Sequence, residues 1–155
     1  MDIFPTIAVA LHALGATIWV GGMFFAYQVL RPALGGFEGP QRLKTWAAVF
    51  PRFFSWVWAA VIALWATGYM QVFWDFGGFD VAGWHVQIMH ITGIVMFFIY
   101  FFLFFGPYPR FQAAVRAEDW PAAAARLATI RRIVGLNLIL GLVTVAIGAS
   151  GRFWG

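Results

Sequence analysis

The sequence predicts an all-α integral membrane protein, a four-transmembrane-helix bundle with both termini outside. Three observations predict it. Of 155 residues, 63% are hydrophobic, 20% aromatic and only 10% charged, a balance far from that of soluble domains. Four apolar stretches, at about residues 3–30, 53–74, 81–105 and 133–151, are long enough to cross a bilayer. Nine of the ten basic residues flank the two long connections, while the short connection 75–80 carries two acids and no base. By the positive-inside rule both basic connections are cytoplasmic. The length suits one domain, residues 1–155.

The first stretch has no Asp, Glu, Lys or Arg between Phe4 and Leu30. It lacks a basic leading segment and is too long for a signal peptide's apolar core, so it reads as a retained helix. The next connection, 32–51, holds Gly35-Gly36, Gly39-Pro40 and a short helix from Gln41, with Arg31, Arg42, Lys44 and Arg52 around it. The second stretch, 53–74, ends at the acidic connection. The third, 81–105, is again uncharged from Val81 to Gly106. The last connection, 107–130, opens with Pro107-Tyr108-Pro109 and becomes Ala-rich at Ala122 to Ala125, where an interfacial helix is expected, with Arg116 and Arg126 reaching lipid headgroups. Arg110, Arg131 and Arg132 complete its charge, and the fourth stretch comes after it. Trp74, Trp84, Trp120 and Trp154 lie at segment ends and suit an aromatic belt. The net charge of +4 is thus accounted for by topology and is no nucleic-acid footprint. The absence of cysteine excludes covalent c-type haem, a thiolate copper site and disulfides.

Chemistry, if any, rests on the three histidines. His12 heads His12-Ala13-Leu14-Gly15 in the first stretch, and His90 heads His90-Ile91-Thr92-Gly93 in the third. An imidazole in hydrocarbon marks a functional site by default, and neutral imidazole is a frequent metal ligand. The two stretches run the same way, so both histidines lie about 10–13 Å inside the outer boundary at 1.5 Å of rise per residue. Two imidazoles at one depth can be the axial ligands of haem b in a bundle core. Gly15 and Gly93, three residues on, would leave room for the ring, or equally serve close helix packing. Gly135, Gly141 and Gly148 of the fourth stretch carry the same two readings. His85 points about 140° away from His90 on a helix and is an alternate ligand, a proton relay or an interfacial residue beside Trp84.

Copper is the rival cofactor. Met23, Met70, Met89 and Met96 are soft thioethers suited to Cu(I), and Met89 lies close to His85 and to the depth of His12. Methionine also fills gaps in cores. Asn137, Thr17, Thr67, Gln71, Gln87 and Thr144 read as interhelical hydrogen-bond formers, with Gln71 and Gln87 near the face where a quinone or porphyrin edge would dock. There is no phosphate loop, catalytic triad or carboxylate pair. The helix-four glycines also offer a seam for a homodimer.

Two runs carry a family resemblance. Leu11-His12-Ala13-Leu14-Gly15-Ala16-Thr17-Ile18-Trp19-Val20-Gly21-Gly22 resembles the first helix of the copper resistance protein D (CopD) domain, and Arg131-Arg132-Ile133-Val134-Gly135-Leu136-Asn137-Leu138-Ile139-Leu140-Gly141-Leu142 resembles its last. The superfamily look extends to HemJ, the four-helix b-haem membrane protoporphyrinogen oxidase. Trp84-His85-Val86-Gln87 matches HemJ's third-helix Trp-Leu-His-Ile-Lys type motif loosely, with Gln87 where the lysine would fall. The resemblance implies a multi-pass protein of the bacterial inner membrane. One form of it is a haem-b protein, its haem held by His12 with His90 or His85, exchanging electrons with quinol or a periplasmic redox partner as a small oxidoreductase. The other is a copper transport or resistance protein using His and Met ligands.

Overall fold

The computed structural model describes residues 3–154, without the side chain of Arg152. Among these residues every regular element is helical, and four helices are long and apolar enough to cross a membrane. The first membrane helix runs Ile3–Gly36, the second Gly39–Asp75, the third Trp84–Phe105 and the fourth Trp120–Ser150. A fifth helix, Pro107–Arg116, lies against the basic end of the bundle.

The second and fourth helices begin earlier than their apolar stretches suggest. The second, expected from residue 53, starts at Gly39, absorbing most of the first basic connection and passing straight through Pro51. Proline removes the N–H that would bond the carbonyl four residues back. That carbonyl belongs to Ala47, and Gln112 Nε2 donates to it at 2.9 Å. The short fifth helix therefore repairs the gap, and the second helix continues unbroken. The Ala-rich run 122–125, expected as a separate interfacial helix, is instead the first turn and a half of the fourth. Asp119 caps it by accepting from the Ala122 N–H at 3.0 Å, with Pro121 in the first turn. The interfacial segment is Pro107–Arg116, separated from the third helix only by Gly106.

Sequence also explains the loop at the opposite, terminal face. Gly77 and Gly78 adopt φ of +78° and +122°, a region open to glycine. They turn the chain so that Phe79 packs inward against Tyr69 and Phe73. Gln87 Nε2 holds the loop through the carbonyls of Phe79 and Ala82, at 3.3 and 3.4 Å.

The core is aromatic between the second and third helices. Phe50, Phe54, Trp58, Tyr100, Phe104, Tyr108 and Phe111 stack and edge together at centroid spacings of 4.9–6.2 Å. Tyr100 satisfies its hydroxyl by donating to the Phe54 carbonyl at 3.2 Å. In lipid such packing, and not the hydrophobic effect, holds helices together. Many large apolar side chains instead face outward, including Phe98, Phe102, Ile139 and Trp56. In a membrane that exterior is solvated by acyl chains.

Candidate functional site

The two histidines expected to face each other do not. His12 projects from the first helix onto the second, where its ring lies over Gly68, and Nδ1 is 3.0 Å from the Thr67 hydroxyl oxygen. The single hydroxyl proton of Thr67 is directed to the Ala63 carbonyl at 2.6 Å. The Thr67 oxygen therefore keeps its lone pairs for His12 Nδ1, which it can accept from when that nitrogen carries the ring proton. Gly15, one turn on, permits the same close approach: a Cβ there would lie 3.0 Å from Leu64 and 3.2 Å from the Ala60 carbonyl. His90 sits elsewhere, half-buried in a box of Trp65, Tyr69 and Phe79 at centroid distances of 6.1, 5.6 and 4.7 Å.

Positions 64, 67 and 68 of the second helix meet His12, and 65 and 69 meet His90. At 100° per residue these sets are about 120° apart around the helix. The bis-imidazole arrangement anticipated for haem b is therefore not formed, because the body of the second helix stands between the two rings. A Cβ at Gly93 would meet nothing within 4 Å, whereas Gly15 serves packing. Gln71 and Gln87 spend their amide nitrogens on backbone carbonyls. Among the described residues no three of His, Cys, Asp and Glu converge on a common point.

What the fold does bring together is a seam of soft donors between the third and fourth helices. His85, Met89, Thr92 and Met96 are spaced by four, three and four residues, so they share one helical face. Opposite them, Asn137, Gly141, Thr144, Gly148 and Gly151 share one face of the fourth helix by the same spacing. The rungs match in antiparallel order. His85 lies on Gly151, the Met89 sulfur on Gly148, and Met96 on Gly141, whose added Cβ would be 3.0 Å from Met96 Cε. Thr144 Oγ1 is 2.8 Å from Thr92 Oγ1 and 4.0 Å from Met96 Sδ.

The first helix closes the lower end of this seam. Its axis includes two π-helical turns, Thr17–Gly21 and Phe25–Leu30. Such turns insert an extra residue and rotate the helix beyond them. Within the first of them Val20 packs on Gly141, and just past it Met23 meets Asn137, whose Nδ2 lies 3.8 Å from Met23 Sδ. Met23, Met96 and Asn137 are each only 3% exposed. Among the described residues Asn137 Oδ1 is a buried acceptor with no partner, and such an orphan requires explanation. Asn137 and Met23 also line a cavity of about 10 Å³ with Trp19, Val57 and Tyr100, room for one small occupant.

By sequence each methionine is visible, but their depths scatter and Asn137 reads as an ordinary hydrogen-bond former. The four-three-four spacing of His85, Met89, Thr92 and Met96 is the signal that points to the seam. Met70 takes no part in these contacts.

No curated protein and no solved structure matches the chain. The copper resistance protein D family matches residues 47–150, which takes in the second helix from Ala47, the third, the fourth with nearly all of the seam, and the last-helix run that resembles this family. The first-helix run around His12 lies outside the matched segment, and nothing adds support to the HemJ side of the resemblance. This multi-pass helical membrane protein belongs to the copper resistance protein D family.

Proposed function

We propose that the chain carries Cu(I) into or through the membrane along the seam between the third and fourth helices. His85 and Met89, both half-buried near the terminal face, form the entrance. Met96, Met23 and Asn137 form the deep site. The observation that carries this reading is the orphaned Asn137 oxygen, buried beside a thioether at the cavity that ends the seam. Thioethers are matched to Cu(I) by softness, and an unpaired carbonyl oxygen in a dry interior favours a cation or a water.

From the level of Gly151 to that of Asn137 is fourteen residues, about 21 Å at 1.5 Å per residue. The hydrocarbon core is about 30 Å thick. The donors therefore cover most of the crossing, and among the described side chains no charged one lies between them. By the charge of the connections we place the basic end in the cytoplasm of a bacterial inner membrane and the entrance on the outer side. His12 in this scheme ties the first helix to the second, and His90 anchors the terminal loop through Phe79.

The test is Cu(I) competition with a chromophoric chelator, using protein purified under reducing conditions, together with an absorption spectrum of the same sample. The wild type should bind Cu(I) and show no Soret band. The Met23→Leu/Met96→Leu variant should bind at least about tenfold more weakly, a loss that even outer-shell changes produce at metal sites, while keeping its helicity because the swap conserves volume. Unchanged Cu(I) binding in that variant would overturn the seam. A Soret band lost on His12→Ala would instead return haem b to the protein.

A further inference from the structure

At the other end of the bundle lies a feature that copper does not use. A groove between the first, second and fourth helices is lined by Trp46, Val49, Phe50, Phe53 and Val134 together with Tyr27, Arg31 and Arg131. Two guanidinium groups, Arg31 and Arg131, line the groove, and the charges of Arg42 and Arg132 also reach Arg131. Among the described side chains none of the four has a carboxylate partner. Among the described residues the acid–base contact at this end is the exposed Lys44–Glu118 pair at 3.8 Å. Arg31 is instead placed over the Tyr27 ring, 5.0 Å from its centroid.

Like charges held at one groove, with two more in electrostatic reach, repel one another, and an anion is the missing counterpart. Its chemistry can be read from the walls. Guanidinium groups recognise phosphate through paired donors, and the surface beneath them is wholly hydrocarbon and aromatic. A free inorganic anion would gain nothing from that apolar wall, whereas an acyl chain would.

We propose that this groove is a binding site for an anionic phospholipid, its phosphate held by Arg31 and Arg131 with the Tyr27 hydroxyl, and one acyl chain lying along Val49, Phe50, Phe53 and Val134. Arg42 and Arg132 strengthen the local positive potential. Basic pockets between membrane helices hold lipid headgroups in this way, with each basic residue contributing about fivefold in affinity. The site is independent of the copper reading and stands or falls without it.

The test is native mass spectrometry and thermal unfolding of the whole chain in neutral detergent. The added probes are phosphatidylglycerol, phosphatidylcholine or inorganic phosphate. Phosphatidylglycerol should stay bound and raise the unfolding midpoint, and the other two should not. Arg31→Gln/Arg131→Gln should weaken its retention about 25-fold, while Arg110→Gln, at the same end but outside the cluster, should leave it unchanged. Should the double variant not fold, the exposed single variants Arg31→Gln and Arg132→Gln should each lose about fivefold. Equal retention of phosphatidylcholine, or equal loss in Arg110→Gln, would overturn the site. A midpoint shift with inorganic phosphate alone would show a free-anion site and overturn the lipid.

Discussion

Two helix interfaces in this protein use the same kinds of residue to opposite ends. Between the first and second helices, His12, Thr67, Gly15 and Gly68 close a polar contact. His12 Nδ1 pairs with the Thr67 hydroxyl, Thr67 donates to Ala63, and the two glycines let the backbones approach. Between the third and fourth helices, Thr144 pairs with Thr92 and three glycines again admit their neighbours, but His85 and two methionines share the seam, and its last polar atom, Asn137 Oδ1, has no partner among the described residues. A closed set of hydrogen bonds holds helices together. A line of weak acceptors ending in an unpaired oxygen leaves binding capacity to spare, so the location of a histidine says less than whether its neighbours finish the hydrogen bonding.

Several substitutions would break or sharpen this contrast. Gly141→Leu has the largest expected effect, because even a Cβ would lie 2.9 Å from Val20 and 3.0 Å from Met96. Overpacking should lower stability by about 1–3 kcal/mol and obstruct the seam, and both would be read by thermal unfolding and by Cu(I) competition. An unaltered midpoint would mean the two helices are not in such close contact. Gln112→Leu should lower stability by about 1–3 kcal/mol by leaving the Ala47 carbonyl unsatisfied beside Pro51, with Cu(I) binding retained. Thr67→Val removes the acceptor for His12 and should reduce stability by about 0.6–1.7 kcal/mol, the usual worth of an interhelical hydrogen bond in a membrane. A loss of Cu(I) affinity in Thr67→Val would erase the distinction between the interfaces. Gly93→Ala should fall within about 0.5 kcal/mol of the wild type, since a methyl group there meets no neighbour within 4 Å.

Much of the fold was legible because a membrane solvent imposes simple rules. Four uncharged stretches of the right length had to be helices, since no other open segment satisfies its backbone in hydrocarbon. The ends were less legible. Helix starts at Gly39 and Trp120 extend into polar sequence where hydropathy gives no signal, and the passage through Pro51 depends on Gln112, sixty-one residues further along the chain. The site was legible in its ingredients only. Matching depth makes His12 and His90 look like partners, but depth fixes only one coordinate, and their rotation around the second helix separates them. Rotation likewise aligns Met23 with Asn137, and it depends on a π-helical turn that no residue pattern announces.

The sequence by itself thus determined the solvent, the number of crossings and the charge asymmetry of the two ends, because each is a sum over many residues and insensitive to detail. Only the tertiary structure decided which side chains meet. Contact depends on helix rotation, on small residues that admit a neighbour, and on whether a polar atom finds its partner across an interface. The unpaired oxygen of Asn137 is visible only once the other three helices are in place around it.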